Sequence, residues 1–159
     1  MKKILGAFCI VIAVIMVAGC GPSNTAIKQS YVTYAKQLTG YSNDFIAEQS
    51  KLENASNPSL LKGEYQKLLS GAHQFITEQY EKKIAKLKPS DPNLIRAKQH
   101  LDVMTKNFQE YTSGVSKLKD AKLSNNVLAA YGSEVVIKDA LNSYGSEAMA
   151  LQNILGIRF

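Results

Sequence analysis

Residues 27–45 read Ile-Lys-Gln-Ser-Tyr-Val-Thr-Tyr-Ala-Lys-Gln-Leu-Thr-Gly-Tyr-Ser-Asn-Asp-Phe. Ile27, Tyr31, Tyr34, Leu38, Tyr41 and Phe45 step through this stretch by four, three, four, three and four, and Leu52 follows one heptad later. Steps of three and four stack side chains on one face of an α-helix, whereas a strand would alternate with period two. The rhythm recurs three times. Leu61, Tyr65, Leu68, Ala72, Phe75, Tyr80, Ile84 and Leu87 form the second set. Leu94, Leu101, Met104, Phe108, Tyr111, Val115 and Leu118 form the third. Val127, Tyr131, Val135, Leu141, Ala148, Leu151 and Leu155 form the fourth. No long segment alternates, so the reading is all-α: four amphipathic helices and no strands.

The breaks between these sets have chemical causes. Asn54-Ala55-Ser56-Asn57-Pro58 ends the first helix, with Asn57 as the next cap and Pro58 at a first helical position that needs no N–H. Lys88-Pro89-Ser90-Asp91-Pro92 repeats that logic with Asp91 and Pro92. The third break is softer, with Ser124 or Asn125 as the cap. The expected helices span about 25–54, 58–88, 92–121 and 125–155, each roughly 30 residues and so about 45 Å long. Equal lengths and short connections predict an antiparallel up-down-up-down four-helix bundle with coiled-coil-like packing. Gly40, Gly63, Gly71, Gly114, Gly132 and Gly145 fall inside helices, where each costs about 1 kcal/mol against Ala and either admits a close neighbour or permits a bend.

Upstream of the helices the composition changes. Sixteen of the first 20 residues are apolar, after a basic start at Lys2 and Lys3. The apolar run from Ile4 to Ala18 is short for a hydrocarbon core of about 30 Å, which points to an export signal rather than a permanent span. The run closes in Val17-Ala18-Gly19-Cys20, which resembles the lipobox of bacterial lipoproteins. That resemblance implies cleavage between Gly19 and Cys20 and attachment of fatty acyl chains to Cys20. The expected layout is a signal peptide over 1–19, a lipidated tether over 20–24, the helical domain over 25–155 and a tail over 156–159. Cys9 lies in the leader, so Cys20 is the sole cysteine of the mature chain and has no intramolecular disulfide partner. The resemblance also implies a bacterial envelope protein on the outer face of the plasma membrane or on the outer membrane. Gly21 stands where some inner-membrane lipoproteins carry a retention Asp, which favours the outer membrane in a two-membrane cell.

The whole chain carries 19 Lys and Arg against 13 Asp and Glu, no Trp and 45% hydrophobic residues. Without Lys2 and Lys3 the balance is 17 against 13, a net charge of +4. This composition excludes a disulfide-stapled miniprotein, a collagen-like repeat and a polytopic membrane protein. Catalytic signatures are missing: there is no P-loop, no GxGxxG, no G-x-S-x-G and no HExxH. His73 and His100 have no His, Asp or Glu three or four residues away, so neither a metal centre nor a cofactor is expected. No basic stripe with interleaved aromatics points to nucleic acid.

Two groups remain as candidates. Eight tyrosines are the most distinctive side chains, and Tyr31, Tyr34 and Tyr41 read as partner or ligand contacts or as half-buried packing residues. Lys82, Lys83, Lys86 and Lys88 close the second helix at the end nearest the anchor. They read as a membrane-facing basic end, or as cations complementing a helix C-terminus. The expectation is a non-enzymatic, membrane-anchored interaction module that meets the bilayer through acylated Cys20 and docks another envelope protein. The alternative is a sensor or carrier holding a small ligand inside the bundle.

Overall fold

Three helix starts carry a side-chain cap, and each cap marks where the chain turns. The computed structural model describes residues 21–54 and 58–158. Ser23 accepts from the Ala26 N–H and opens α1 (Asn24–Glu53). Pro58 opens α2 (Pro58–Phe75), which continues without a break as a π-helical segment, Ile76–Ile84. Asp91 accepts from the Asn93 and Leu94 N–H groups and opens α3 (Pro92–Leu123), with Pro92 in the first turn. Asn126 accepts from the Ala129 N–H and opens α4 (Val127–Leu155). Gly156, at φ 67°, takes the left-handed conformation that ends α4, and its N–H returns to the Gln152 carbonyl. The described residues are all-helical and contain no strand. The leader, the Val17–Cys20 motif with its Gly19–Cys20 cleavage point, the Asn57 cap and Phe159 lie outside them.

Two boundaries differ from the sequence expectation. The last helix is capped by Asn126, not by Ser124 or Asn125. Asn125 takes φ 54° to reverse the chain, so the extended conformation a cap requires falls one residue later. The second helix ends at Ile84 rather than Lys88. Pro89 disfavours helical geometry in the residue before it and has no N–H of its own. Lys86 and Lys88 therefore lie in the connection to α3.

Both α1 and α3 contact each of the other helices, and α3 makes the most extensive contact. Leu101 and Met104 are fully buried, as are Tyr31, Ala35 and Leu38 of α1. Aromatic rings run through this interior in an unbroken chain. Tyr80 meets Tyr34, Tyr34 and Tyr41 both stack on Phe75, Tyr41 meets Phe108 edge-on, and Phe45 meets both Phe108 and Tyr111. The Tyr41 and Phe75 ring centroids are 4.4 Å apart. Gly71 lies under the Tyr41 hydroxyl, where a Cβ would stand 3.0 Å from the oxygen.

The interface between α3 and α4 is by far the most extensive and the closest. A Cβ on Gly114 would meet Ile137 Cγ1 at 2.8 Å, so the two helices approach as nearly as a hydrogen side chain allows. His100 Nδ1 lies 2.5 Å from Glu147 Oε2, and Asn107 donates to Ser143 at 2.8 Å. Early residues of α3 thus meet late residues of α4.

That proximity overturns half of the fourth apolar stripe. Ser133, Ile137, Ala140, Tyr144 and Leu151 turn inward, while Val127, Tyr131, Val135 and Leu141 face solvent. Ser133 and Ile137 take the face of α4 against Gly114 of α3, which leaves Val127, Tyr131 and Val135 on the outside.

Candidate functional site

Two polar groups built on tyrosines lie at the level of the π-helical segment, one buried and one half-buried. Tyr34 shares a 2.7 Å hydrogen bond with Thr105, whose hydroxyl also reaches the Leu101 carbonyl. Tyr80 donates to Asp102, and Lys98 donates to both oxygens of the same carboxylate at 2.8 and 3.0 Å. The i,i+4 spacing of Asp102 and Lys106 suggests a surface pair, but Asp102 turns to Lys98 and Tyr80, and Lys106 pairs with Glu110. Tyr31 is 0% exposed, and its hydroxyl is the one buried side-chain polar atom without a hydrogen-bond partner among the described residues.

Burial, with the Asp102 charge adding to it, raises the Tyr31 hydroxyl from 10.0 to about 12. Burial likewise raises Tyr34 and Tyr80, and the Asp102 carboxylate reinforces the shift at Tyr80. All three remain protonated near neutrality, and Tyr34 and Tyr80 act as neutral hydrogen-bonding groups. Tyr31 and Tyr34 are buried and Tyr41 is half-buried between α1, α2 and α3, so none of the three lies on an open face.

A small cavity of about 70 Å³ lies between α1, α3 and α4, lined by Ser42, Asn107, Phe108, Tyr111 and Tyr144 among others. An open groove of about 500 Å³ follows the outer side of α3 and α4 near their turn, lined by Lys117, Asp120, Ala121, Ala129, Gly132 and Val136.

Beside that groove stands the most unusual surface of the molecule. Val127, Leu128 and Tyr131 are 81%, 83% and 67% exposed, and Leu123 and Val135 extend the same apolar area. Further along the outward side of α4, Lys138, Asp139, Asn142 and Ser146 are exposed and polar. Leu123, Leu128 and Val136 were missed by stripe reasoning. The signal was present in the doublets Val127-Leu128 and Val135-Val136. Neighbours in a helix point about 100° apart, so such doublets mark an apolar arc too wide for one interface.

The opposite end has another character. Asn24 and Ser90 side chains meet at 3.3 Å, which fixes the 85–91 connection beside the start of α1. Lys86 and Lys88 are exposed in that connection. Lys82 pairs with Glu78 at 2.5 Å and Lys83 donates to Gln79 at 2.7 Å.

Among the described residues, no helix is long and apolar enough to cross a membrane. Among the same residues, no three His, Cys, Asp or Glu side chains gather in a way that could hold a metal ion. Compared with protein-family models, with curated proteins and with solved structures, the chain matches none of them.

Proposed function

We propose that this chain is a lipid-anchored bacterial envelope protein whose helices form an antiparallel up-down-up-down bundle, and that the bundle is a non-enzymatic interaction module. The anchor reading rests on the basic start, the apolar run and Val17-Ala18-Gly19-Cys20. The antiparallel reading rests on the partners that helices share. His100 with Glu147 and Asn107 with Ser143 oppose α3 and α4, and Tyr41 with Phe75 and Tyr34 with Tyr80 oppose α1 and the second helix.

The observation that carries the functional reading is the solvent-facing apolar area of Leu123, Val127, Leu128, Tyr131 and Val135. Large apolar side chains gathered in water are costly, and such exposed groups mark docking sites. Its position suits that role. α3 starts beside residue 24 and carries the patch to its far end, about 48 Å away at 1.5 Å per residue. A partner would meet it well clear of the bilayer.

Leu128→Asp with Tyr131→Asp tests the proposal. Formaldehyde crosslinking of intact cells should give a discrete larger species with the unaltered chain and none with the double variant, at equal abundance and melting temperature. An unchanged crosslinked species removes the α4 face as the docking site. The small-ligand carrier has weaker support, because a cavity of about 70 Å³ is well below the 300–1,000 Å³ typical of ligand pockets.

A further inference from the structure

We infer that the end of the bundle where α1 begins is a docking surface for an anionic lipid bilayer, held there by exposed lysines and arginines. The inference deepens the anchor reading above, which supplies the orientation.

Charge is divided unequally along the molecule. Residues 21–38, 74–105 and 144–158 make up the half around the start of α1. They hold nine Lys and Arg against five Asp and Glu, and the rest of the helical domain holds eight of each. The entire net charge of +4 therefore belongs to one half.

The acids of that half are largely occupied. Asp91 caps α3, Glu78 pairs with Lys82, Asp102 holds Lys98 and Tyr80, and Glu147 meets His100. Lys28, Lys86, Lys88, Arg96 and Arg158 are exposed, and none has an ion-pair partner among the described residues. They come from the start of α1, the 85–91 connection, the start of α3 and the residues past α4, and so surround the end on several sides.

Local helix electrostatics does not explain the whole of this set. A cation is favoured at a helix C-terminus, which accounts for Lys82 and Lys83 in the last turn of the π-helical segment. Lys86, Lys88 and Arg158 lie past helix C-termini, on the side that favours a cation, but Lys28 and Arg96 sit near helix N-termini, where the macrodipole offers a cation nothing.

A flat anionic surface accounts for all five. The cations are exposed and dispersed, as contact with a sheet of headgroups requires, whereas a discrete phosphate calls for a convergent pocket. Four residue steps separate Cys20 from Asn24, so acylation of Cys20 would bring this end within about 14 Å of the bilayer. That distance approaches the 8–10 Å over which the surface potential acts at ordinary salt.

The test uses the full chain isolated from membranes and reconstituted into vesicles of phosphatidylcholine, with or without phosphatidylglycerol. Amide hydrogen exchange over residues 84–92 should be several-fold slower in the anionic vesicles, and the difference should vanish at high salt. Lys86→Gln, Lys88→Gln and Arg96→Gln together should abolish it. Lys106→Gln, Lys117→Gln and Lys122→Gln, which remove the same charge from the other half, should leave it intact. Mass measurement of the same sample reads acylation of Cys20 separately. An acylated chain with equal exchange in both vesicles overturns the inference and leaves the anchor standing. An unacylated chain that binds only the anionic vesicles supports the inference and overturns the anchor, and one that binds neither overturns both. Equal loss of protection in the two triple variants also overturns it, since bulk charge would then suffice.

Discussion

The two halves of the bundle solve opposite problems with the same helices. Around the start of α1, large side chains point inward and charge points outward. Tyr31, Tyr34, Leu101 and Met104 are buried there, and lysines and arginines are exposed at the end. Around the α3–α4 turn the relation is partly reversed. Ser133, Ala140 and Gly114 occupy the contact, while Val127, Leu128 and Tyr131 meet water. The difference teaches that helix proximity, as much as hydrophobicity, decides which face is buried. Where α3 and α4 come as close as they do at Gly114, the face of α4 that carries Ser133 and Ile137 is the one turned inward, and the more apolar neighbouring face is left in water.

Paired substitutions can break or sharpen this contrast. The largest effect belongs to the buried half. Leu101→Ala should cost about 2–5 kcal/mol in urea unfolding, and Leu128→Ala less than about 0.5 kcal/mol, although both delete the same atoms. Equal costs would mean that the α4 face is covered in the isolated protein.

The α3–α4 contact comes next. Gly114→Leu should cost at least about 1–3 kcal/mol, because Ile137 already stands 2.8 Å from where a Cβ would sit. Gly132→Ala has nothing within 4 Å of the added atom and should stabilise by about 0.5–1 kcal/mol in the same assay.

A third pair concerns two buried hydroxyls one helical turn apart. Tyr34→Phe removes a hydrogen bond to Thr105 and should cost about 1 kcal/mol. Tyr31→Phe removes a hydroxyl without a partner and should be neutral or stabilising by up to about 1 kcal/mol.

A separate effect appears in alkali. The Tyr31 hydroxyl titrates near 10.0 in the unfolded chain and near 12 in the folded one, so the folded state retains a proton that the unfolded state releases. Stability from this group is complete below pH 10 and is lost as pH rises from 10 to 12. Urea titrations across that window should show a shallower decline in Tyr31→Phe than in the unaltered chain.

Much of the first three helices was legible from spacing alone. Of the steps from Ile27 to Phe45, all but the half-buried Tyr41 fall on residues that α1 buries, and Asp91-Pro92 marks the start of α3 because both residues act locally. The first half of α4 was not legible. Periodicity identifies an apolar face but carries no information about how near the neighbouring helix stands, and only Gly114 against Ile137 supplies that. The Tyr80–Asp102–Lys98 cluster was also hidden, since it joins residues 22 positions apart through a π-helical segment that spacing does not announce. The apolar rhythm through Ile84 and Leu87 carries the expected helix on to Lys88, whereas Pro89 disfavours helical geometry in the residue before it and the helix ends at Ile84.

The central claim is that one end of the molecule meets lipid while the other meets protein. Photocrosslinking from two single positions in intact cells, Lys88 and Leu128, with the adducts identified by mass, tests it most directly. The account predicts phospholipid adducts from position 88 and a single protein adduct from position 128. Lipid adducts from position 128, or protein adducts alone from position 88, would contradict it.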